Sequence, residues 1–299
     1  MKVHTYAGID IGSNAIRLLI NEIESTSSGV NYSKACYIRV PIRLGEDVFT
    51  QGFIGEEKRL RMIAAFQGFH HLMQAYGVTR FRCCATSAMR EAANGEDVVK
   101  EIAIQSGIPI EIITGQEEAD LVYHASGSMH IFDDKRNYLY VDVGGGSTEI
   151  ICYAGGEKRA SRSFKLGTVR ILAHECKDEF EAMAQWIGTT CKEYNPVAII
   201  GSGGNINKLH KMLGRKQLES IYYFEMKRLY EQSKTMNLDE RMKHFSINAY
   251  RADVIVPAMT IFLTIAELTA ISEFIVPKVG LGDGIIHQLY WVNHASHSL

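Results

Sequence analysis

The chain has 299 residues, with 32 Lys plus Arg against 34 Asp plus Glu, so its formal net charge at pH 7 is −2. This near balance excludes a strongly basic protein that coats nucleic acid, and no nucleic-acid partner is expected. Hydrophobic residues make up 46% of the chain and charged residues 22%, which is the composition of a packed globular protein rather than a disordered one. The length favours two domains.

The sequence gives no signal for a membrane or for disulfide bonds. The apolar stretches are expected to be too short or too interrupted to span a bilayer, and the first nine residues form no signal peptide. We therefore expect a cytoplasmic protein with no membrane partner. The six cysteines are scattered, with no Cys-x-x-Cys, and are expected to be buried reduced thiols.

Strands and helices alternate in the first half of the chain. Residues 6–20 predict a strand, a tight glycine turn and a second strand, because aliphatic residues resume directly after Asn14. Helices follow over 56–76, 87–93 and 97–105, with strands over 81–85 and 110–113. This alternation is typical of a layered α/β sheet.

The second half repeats this pattern. Residues 138–152 are a near copy of the first hairpin and place Asp142 on Asp10 and Gly144 on Gly12, at a constant offset of 142 − 10 = 132. The copy predicts two related halves of the chain. A hairpin turn at residues 155–156 follows, then helices over 168–174 and 179–194 and a strand over 197–200. The last predicted elements are an apolar helix over 253–270, a strand over 274–279 and a final helix.

Three glycine-rich turns follow strands, and they are candidates for binding phosphate. They contain Gly12, Ser13 and Asn14; Gly144, Gly145, Gly146 and Ser147; and Gly201, Ser202, Gly203, Gly204 and Asn205. Glycine lets backbone N–H groups converge on an anion because no Cβ is in the way. Each turn alone could be an ordinary hairpin turn, but three of them together favour phosphate binding.

Two aspartates lie within aliphatic strands just before the glycines. A buried carboxylate without compensation costs several kcal/mol, so Asp10 and Asp142 either accept bonds from their own turn amides or hold Mg²⁺. Glu149, seven positions after Asp142 on the returning strand, could reach the same place or be an exposed hairpin residue.

Two adjacent glutamates follow the strand at 110–113. Thr114 and Glu117 form a capping box, in which Thr114 is the N-cap and Glu117 its partner three residues later. Glu118 is turned about 100° around the helix from Glu117 and needs another explanation. It is either a solvated acid of the first helical turn or a general base.

Arg90 is the most suggestive of several arginines near turns, although a surface charge is the default interpretation for each of them. It lies one turn into a helix that starts with Thr and Ser, and such a group of donors suits a phosphate.

Seven segments together resemble the exopolyphosphatase/guanosine pentaphosphate phosphatase (Ppx/GppA) family of the actin-like ATPase superfamily. They are residues 9–14, 43–46, 85–94, 115–119, 142–149, 166–167 and 201–205. The glycine turns would fit any member of the superfamily. The segments at 85–94 and 115–119 are specific to this family.

The resemblance implies an α/β fold of two actin-like, ribonuclease-H-like domains with an interdomain cleft. They would span residues 1–122 and 123–283, with a helix over about 284–299 packing back on the first domain. Glu118 would be the base that activates water, and Asp142 and Glu149 would organise Mg²⁺. Ser13, Asn14, Arg90 and residues 144–147 would bind phosphates, whereas Gly203 and Gly204 would lie in a nucleoside-side loop or bind further phosphate.

The expected function is magnesium-assisted hydrolysis of a phosphoanhydride, with Glu118 directing water at the terminal phosphorus of inorganic polyphosphate or of a guanosine penta- or tetraphosphate. The alternatives are a phosphotransferase of the same superfamily and a regulator that binds such anions without turnover. A homodimer is plausible from base rates alone.

Two departures from the family pattern bear on the substrate. Gly282 replaces an arginine that relatives commonly carry, and the sequence ends before the additional C-terminal helical domains of longer relatives. Both features are expected to disfavour processive hydrolysis of long polyphosphate.

Overall fold

The structure is a computed structural model that describes residues 2–26, 29–127, 136–216 and 219–295. The chain divides into two compact units, which we call unit 1 (Met1–Ser126 and Gly280–Leu299) and unit 2 (Gly127–Val279). The boundary expected after residue 122 falls inside a helix that ends at Gly127. The last four residues of the expected C-terminal helix lie outside the described residues.

Within the residues that the structure describes, unit 1 contains a mixed sheet of five strands. They are β1 (Lys2–Ile11), β2 (Ile16–Thr26), β3 (Gly29–Val40), β4 (Arg80–Ala85) and β5 (Glu111–Ile112). The order across the sheet is β3-β2-β1-β4-β5. The first three strands form antiparallel pairs, and β1, β4 and β5 run parallel.

Six helices belong to the described part of unit 1. They are α1 (Leu44–Gln51), α2 (Glu56–Ala75), α3 (Ser87–Glu91), α4 (Gly95–Ser106), α5 (Gly115–Gly127) and, from the end of the chain, α13 (Leu281–Ala295). Buried Ile286 and Tyr290 of α13 pack against Tyr6 of β1. A Cβ on Gly8 would stand 2.5 Å from the carbonyl oxygen of Gly282. Helix α13 therefore lies directly on β1, at a distance that a larger residue at position 8 would prevent.

The described residues of unit 2 (136–216 and 219–279) contain a mixed sheet of six strands. They are β6 (Tyr138–Val143), β7 (Thr148–Ala154), β8 (Glu157–Phe164), β9 (Ala198–Ser202), β10 (Ile221–Tyr222) and β11 (Glu273–Ile275). The order across the sheet is β10-β11-β9-β6-β7-β8.

The helices of unit 2 pack on this sheet around an apolar core. They are α6 (Thr168–Ala173), α7 (Lys177–Tyr194), α8 (Gly204–Met212), α9 (Tyr223–Lys234), α10 (Leu238–Phe245), α11 (Ala249–Ala252) and α12 (Ile255–Thr269). Phe262 of α12 and Phe274 of β11 meet edge to face within the core, with ring centroids 6.0 Å apart.

The two units share one topology, which confirms the predicted repeat. Strands β8-β7-β6-β9-β11 follow the same order and directions as β3-β2-β1-β4-β5. The turn bond from Gly12 N to Ala15 O (3.1 Å) recurs from Gly144 N to Ser147 O (2.9 Å). Even the β-bulge recurs, between residues 20 and 21 and between residues 152 and 153, again 132 positions apart.

Most predicted elements are confirmed, although several ends differ by a few residues. Helix α1 has no counterpart in the prediction. It has only 8 residues and begins after Arg43, whose backbone is left-handed (φ 60°), so neither its length nor its start gave the usual helix signal.

The expectation that no stretch could span a membrane was wrong for residues Ala249–Thr269. Within the described residues, this helical stretch of 21 residues has a mean hydropathy of 1.6, which is enough by length and composition alone. Of its most apolar window, 61% is buried inside unit 2. Packing in the core accounts for that composition, because a buried helix is apolar on all sides.

The cysteines form no disulfide among themselves, and three of the six are fully buried: Cys83, Cys84 and Cys152. Burial raises the pKa of Cys84 and that of Cys152 to about 12. These thiols stay protonated and unreactive at neutral pH.

Candidate active site

A row of polar side chains crosses the sheet of unit 2. Asp142 on β6 lies directly opposite Glu149 on β7, and Ser202 and Ser163 continue the row on β9 and β8. Directly opposed residues in a sheet point to the same face. Asp142 is 8% exposed and Glu149 is 3% exposed, so the sheet holds two buried carboxylates side by side.

Asp142 is held by hydroxyl groups and by a close loop. Its Oδ2 accepts hydrogen bonds from Ser202 Oγ (3.0 Å) and Tyr140 OH (3.4 Å). Gly203 has a φ of +101°, and a Cβ there would stand 2.9 Å from Asp142 Oδ1 and from the carbonyl oxygen of Val143. A glycine is therefore needed where the chain passes over the aspartate.

Glu149 is held in the same way. Its Oε1 accepts hydrogen bonds from Ser147 Oγ (2.7 Å) and Ser163 Oγ (2.9 Å). Hydroxyl donors fix the direction of a carboxylate. The pair of Asp142 and Glu149, which we call the carboxylate pair, is therefore oriented by its neighbours on the sheet.

The equivalent pair in unit 1 has opposite charges. Asp10 lies opposite Arg17, and Arg17 Nη1 donates to both oxygens of the aspartate at 2.8 and 3.0 Å. Burial raises the pKa of Asp10, whereas Arg17 and the more distant Arg39 act to lower it. Position 17 corresponds to position 149 at the offset of 132, so one copy of the hairpin carries arginine where the other carries glutamate.

Because unit 1 has Arg17 where unit 2 has Glu149, the two hairpins differ in how well they suit a metal ion. Two neighbouring carboxylates repel each other unless a proton or a cation lies between them, and Mg²⁺ commonly binds one or two carboxylates together with substrate phosphates. The carboxylate pair fits that description. No group of three or more His, Cys, Asp or Glu suited to a metal occurs among the described residues. Metal binding by Asp10 stays a prediction, since the cation beside it is Arg17.

The glycine turn of unit 2 (residues 144–147) has its carbonyl groups occupied and its amide groups available. The carbonyls of Gly144, Gly145 and Gly146 accept bonds from backbone amides at the start of α6 and from Arg170 Nε. A Cβ on Gly167 would stand 2.4 Å from Gly146 N, so glycine there permits this close packing. No acceptor in the described part of the chain takes the N–H of Gly145, Gly146 or Ser147. Three successive amides of this kind form a nest for an anion.

The turn at Ser13 and Asn14 joins three elements of unit 1. Ser13 is buried, and its Oγ lies 2.9 Å from Ser87 Oγ at the start of α3. The carbonyls of Ser13 and Asn14 accept from Gly45 N (2.8 Å) and Arg43 N (3.1 Å). The structure thus brings Ser87 to the predicted phosphate turn. Phosphate binding by Ser13 and Asn14 stays a prediction.

Arg90 makes a contact that the sequence analysis did not foresee. Its Nη1 donates to the carbonyl of Ile113 at 2.6 Å, just before Thr114 and the start of α5. The side chain therefore braces α3 against the segment that leads to Glu118. Phosphate binding by Arg90 stays a prediction.

The two glutamates of α5 separate as the capping argument suggested, with one difference. Thr114 Oγ1 accepts from Glu117 N (3.1 Å), as predicted. The Glu117 carboxylate instead accepts from Arg82 Nη2 (2.7 Å), so a salt bridge takes the place of the second capping bond. Glu118 is half-buried, and its Oε2 atom is fully buried.

The position of α5 is fixed by close packing one turn beyond Glu118. A Cβ on Gly284 of α13 would stand 2.5 Å from the carbonyl oxygen of Leu121. Helix α13 therefore holds both β1 and α5 at short distance, and it limits the movement of the helix that carries Glu118.

Comparison with known proteins shows which family the chain belongs to. A family model described as the Ppx/GppA phosphatase family matches residues 35–291, which is most of the chain. The chain belongs to the Ppx/GppA phosphatase family.

Two proteins similar to this chain are named as a pyrophosphatase and as a bifunctional synthase/phosphatase. The guanosine-5'-triphosphate,3'-diphosphate pyrophosphatase of Vibrio parahaemolyticus is 28% identical over 299 residues, which cover 95% of this chain and 59% of the relative. A bifunctional 3-dehydroquinate synthase/phosphatase of Fusobacterium nucleatum is 35% identical over 170 residues, which cover 55% of this chain and 25% of the relative. The chain thus spans 59% of the length of the first of these relatives.

Solved structures of the Ppx/GppA family share the fold. The type II variant of the Aquifex aeolicus Ppx/GppA phosphatase is 26% identical, with a TM-score of 0.72 over 95% of this chain and 99% of that one. An exopolyphosphatase from Cytophaga hutchinsonii has a TM-score of 0.84 at 22% identity, over 96% and 97% of the two chains. The fold of this chain, two mixed sheets flanked by helices, is therefore the fold of solved Ppx/GppA proteins.

Several contacts of this site were missed by sequence reasoning. Ser202 was placed in a candidate phosphate turn, but its bond to Asp142 was not foreseen. Ser87 lies in a segment already recognised, and its polar character at a helix start was the available signal. Ser163 lies in an exposed polar strand with no such signal, and only the register of β7 and β8 brings it to Glu149.

Proposed function

We propose that this protein hydrolyses the terminal phosphoanhydride bond of inorganic polyphosphate or of guanosine pentaphosphate. The observation that carries the proposal is the carboxylate pair beside a turn whose three amides have no acceptor among the described residues. Membership of a phosphatase family supports a reaction at phosphate. The activity named for the Vibrio relative supports the guanosine substrate.

The amides of the unit 2 turn would bind the terminal phosphate. The N–H groups of Gly145, Gly146 and Ser147 would donate to its oxygens, and they need no reorganisation because the turn is already fixed on α6. Preorganised donors of this kind stabilise the charge that develops in a transition state. Ser13 and Asn14 would bind neighbouring phosphates of the chain.

Asp142 and Glu149 would hold Mg²⁺, with the four hydroxyls around them keeping both carboxylates in place. When bound, Mg²⁺ supplies positive charge to the phosphate oxygens and so favours departure of the leaving group.

Glu118 would act as the general base. The oxygen of a water molecule attacks the terminal phosphorus while one water proton passes to the Glu118 carboxylate. The bond between that phosphorus and the bridging oxygen breaks, and the electron pair stays on the bridging oxygen of the shortened product. Inorganic phosphate leaves with the water oxygen.

Phosphate release from a panel of substrates tests this function. The panel contains tripolyphosphate, short and long polyphosphates and guanosine pentaphosphate, each assayed with Mg²⁺ and with a chelator. We expect phosphate from at least one member in Mg²⁺ and little without it. Release that requires an added organic acceptor would indicate a phosphotransferase, and binding without any release would indicate a regulator. Either result would contradict the proposal.

A further inference from the structure

Residues 43–46 carry part of the family resemblance, but the proposed reaction gives them no role. This segment, which we call the linking segment, lies at the start of α1. Its backbone holds the predicted phosphate turn of unit 1. Gly45 N donates to the carbonyl of Ser13 at 2.8 Å, and Arg43 N donates to that of Asn14 at 3.1 Å. The position of the turn therefore depends on the position of the linking segment.

The linking segment contains a strained residue. Arg43 has a left-handed backbone, with φ 60° and ψ 48°, which side chains larger than glycine rarely adopt. Such a conformation persists only where the surrounding contacts impose it, and it is concentrated at functional sites. The contacts that hold Arg43 therefore also keep its N–H directed at Asn14.

A buried lysine of α2 supplies one of these contacts. Lys58 is 9% exposed, and its Nζ donates to the carbonyl of Arg43 at 2.6 Å. The same Nζ lies 3.1 Å from Glu46 Oε2 and 2.6 Å from Asp47 Oδ1, so all three donors of the ammonium group have an acceptor. Asp47 Oδ2 in turn accepts from Gly55 N at 2.9 Å, just before α2. Lys58 thus joins the linking segment to α2.

The next residue on α2 makes ion pairs of a different kind. Arg59 pairs with Glu101 of α4 and with Glu56 of its own helix. These pairs join side chains of helices. Lys58 instead donates to the backbone of the strained residue whose N–H fixes the turn.

We propose that Lys58 is a positioning residue for the phosphate turn of unit 1. It holds the linking segment, and the linking segment holds the carbonyl groups of Ser13 and Asn14. The direction in which the turn presents its donors therefore depends on Lys58. This inference rests on the proposed function for the identity of the ligand, which is a chain of phosphoanhydride groups. Lys58 strengthens binding of that chain without touching it.

Kinetics of Lys58→Met test the inference. Methionine is a long unbranched side chain with no charge and no donor. We expect KM for tripolyphosphate and for guanosine pentaphosphate to rise about tenfold, because hydrogen bonds to phosphate depend on the geometry of the turn. We expect kcat at saturating substrate to change little. An enzyme that is merely less stable would show the reverse, a lower kcat at an unchanged KM, since only its folded fraction turns over.

A double variant and a matched control keep this test independent of folding. Lys58→Met, Asp47→Asn leaves no unpaired buried charge, and the asparagine can still accept from Gly55 N. Arg59→Met, Glu101→Gln is the control, because it removes the neighbouring ion pair of the same helix. We expect the control to keep the KM of the wild type. Melting curves of all variants show whether they fold.

Two kinetic results would overturn the inference. One is an equal KM in the wild type and in the folded double variant of Lys58 and Asp47. The other is a rise of equal size in the control, since any ion pair of α2 would then have the same effect.

Hydrogen exchange without ligand tests the positioning step by itself. We expect the amide protons of Arg43 and Gly45 to exchange faster in the double variant of Lys58 and Asp47 than in the wild type or the control, because their segment opens more often. Unchanged exchange at both amides would overturn the inference, whatever the activity.

Calorimetry separates this inference from the proposed function. Tripolyphosphate and guanosine pentaphosphate are titrated into each protein with a chelator present, where little turnover is expected. If the wild type hydrolyses nothing but binds either anion more tightly than the double variant of Lys58 and Asp47 does, the proposed function fails and the inference stands. If the wild type hydrolyses an anion that both proteins bind equally, the inference fails and the proposed function stands. If the wild type neither binds nor hydrolyses either anion, both fail.

Discussion

Replacing Glu118 by glutamine is expected to lower kcat about 10²- to 10⁴-fold, which is the usual contribution of a general base. The amide cannot take a proton from water, but it has nearly the size of the carboxylate and should leave α5 in place. Affinity for tripolyphosphate, measured by calorimetry, should therefore stay close to that of the wild type. The measurement is phosphate release under saturating substrate, with thermal melting as the check on folding.

Glu117→Gln is the matched control for this experiment. Glu117 is the preceding residue, and its carboxylate pairs with Arg82 rather than with substrate. The Glu117 side chain is 41% exposed, and an ion pair of that exposure contributes little to stability. We expect near-normal turnover from Glu117→Gln. Equal loss in both variants, or loss of binding together with turnover in Glu118→Gln, would assign Glu118 to the structure of α5 instead.

Replacing Glu149 by glutamine is expected to raise the Mg²⁺ concentration needed for half-maximal activity by about 10- to 100-fold or more, since even residues that only support a metal ligand have effects of that size. The substitution replaces one of the two carboxylates by an amide while keeping acceptor capacity for Ser147 and Ser163. The measurement is a Mg²⁺ titration of phosphate release. Mg²⁺ binding by calorimetry gives a readout that does not need turnover.

The variant Asp10→Asn tests whether the metal binds to the hairpin of unit 1 or to that of unit 2. Because Arg17 already neutralises Asp10, we expect the Mg²⁺ midpoint of Asp10→Asn to match that of the wild type. Loss of the Asp10–Arg17 pair can still lower stability or kcat. A shift of the midpoint in Asp10→Asn, with none in Glu149→Gln, would move the metal to unit 1 and reject the carboxylate pair as its site.

The repeat was predictable from the sequence, whereas the partners across each sheet were not. The offset of 132 already aligns Asp10 with Asp142 and shows Arg17 opposite Glu149 in the alignment. Counting back from the β7–β8 turn, where Ala154 faces Glu157, would place Glu149 opposite Arg162. The bulge after Cys152 shifts the register by one residue and brings Ser163 to that place. A shift of one residue exchanges the two faces of a strand.

The side-chain partners in unit 1 were not predictable from the sequence either. The sequence singled out Arg90 among several arginines near turns, and a surface charge was the default for each of them. The actual partner of Arg90 is a carbonyl 23 residues later, and that of Arg17 is a buried carboxylate 7 residues earlier. Propensity and spacing describe short segments well. Which side chain reaches which partner depends on how several segments pack, and the sequence pattern carries no such information.

Hydrolysis of tripolyphosphate in ¹⁸O-labelled water, followed by mass spectrometry of both products, tests most directly whether water attacks the terminal phosphorus. We predict one labelled oxygen in each molecule of inorganic phosphate and none in the pyrophosphate. Label in the pyrophosphate would mean that water attacks the central phosphorus, and label in neither product would mean that the phosphoryl group passes to another acceptor. Either outcome would contradict the function proposed for this protein.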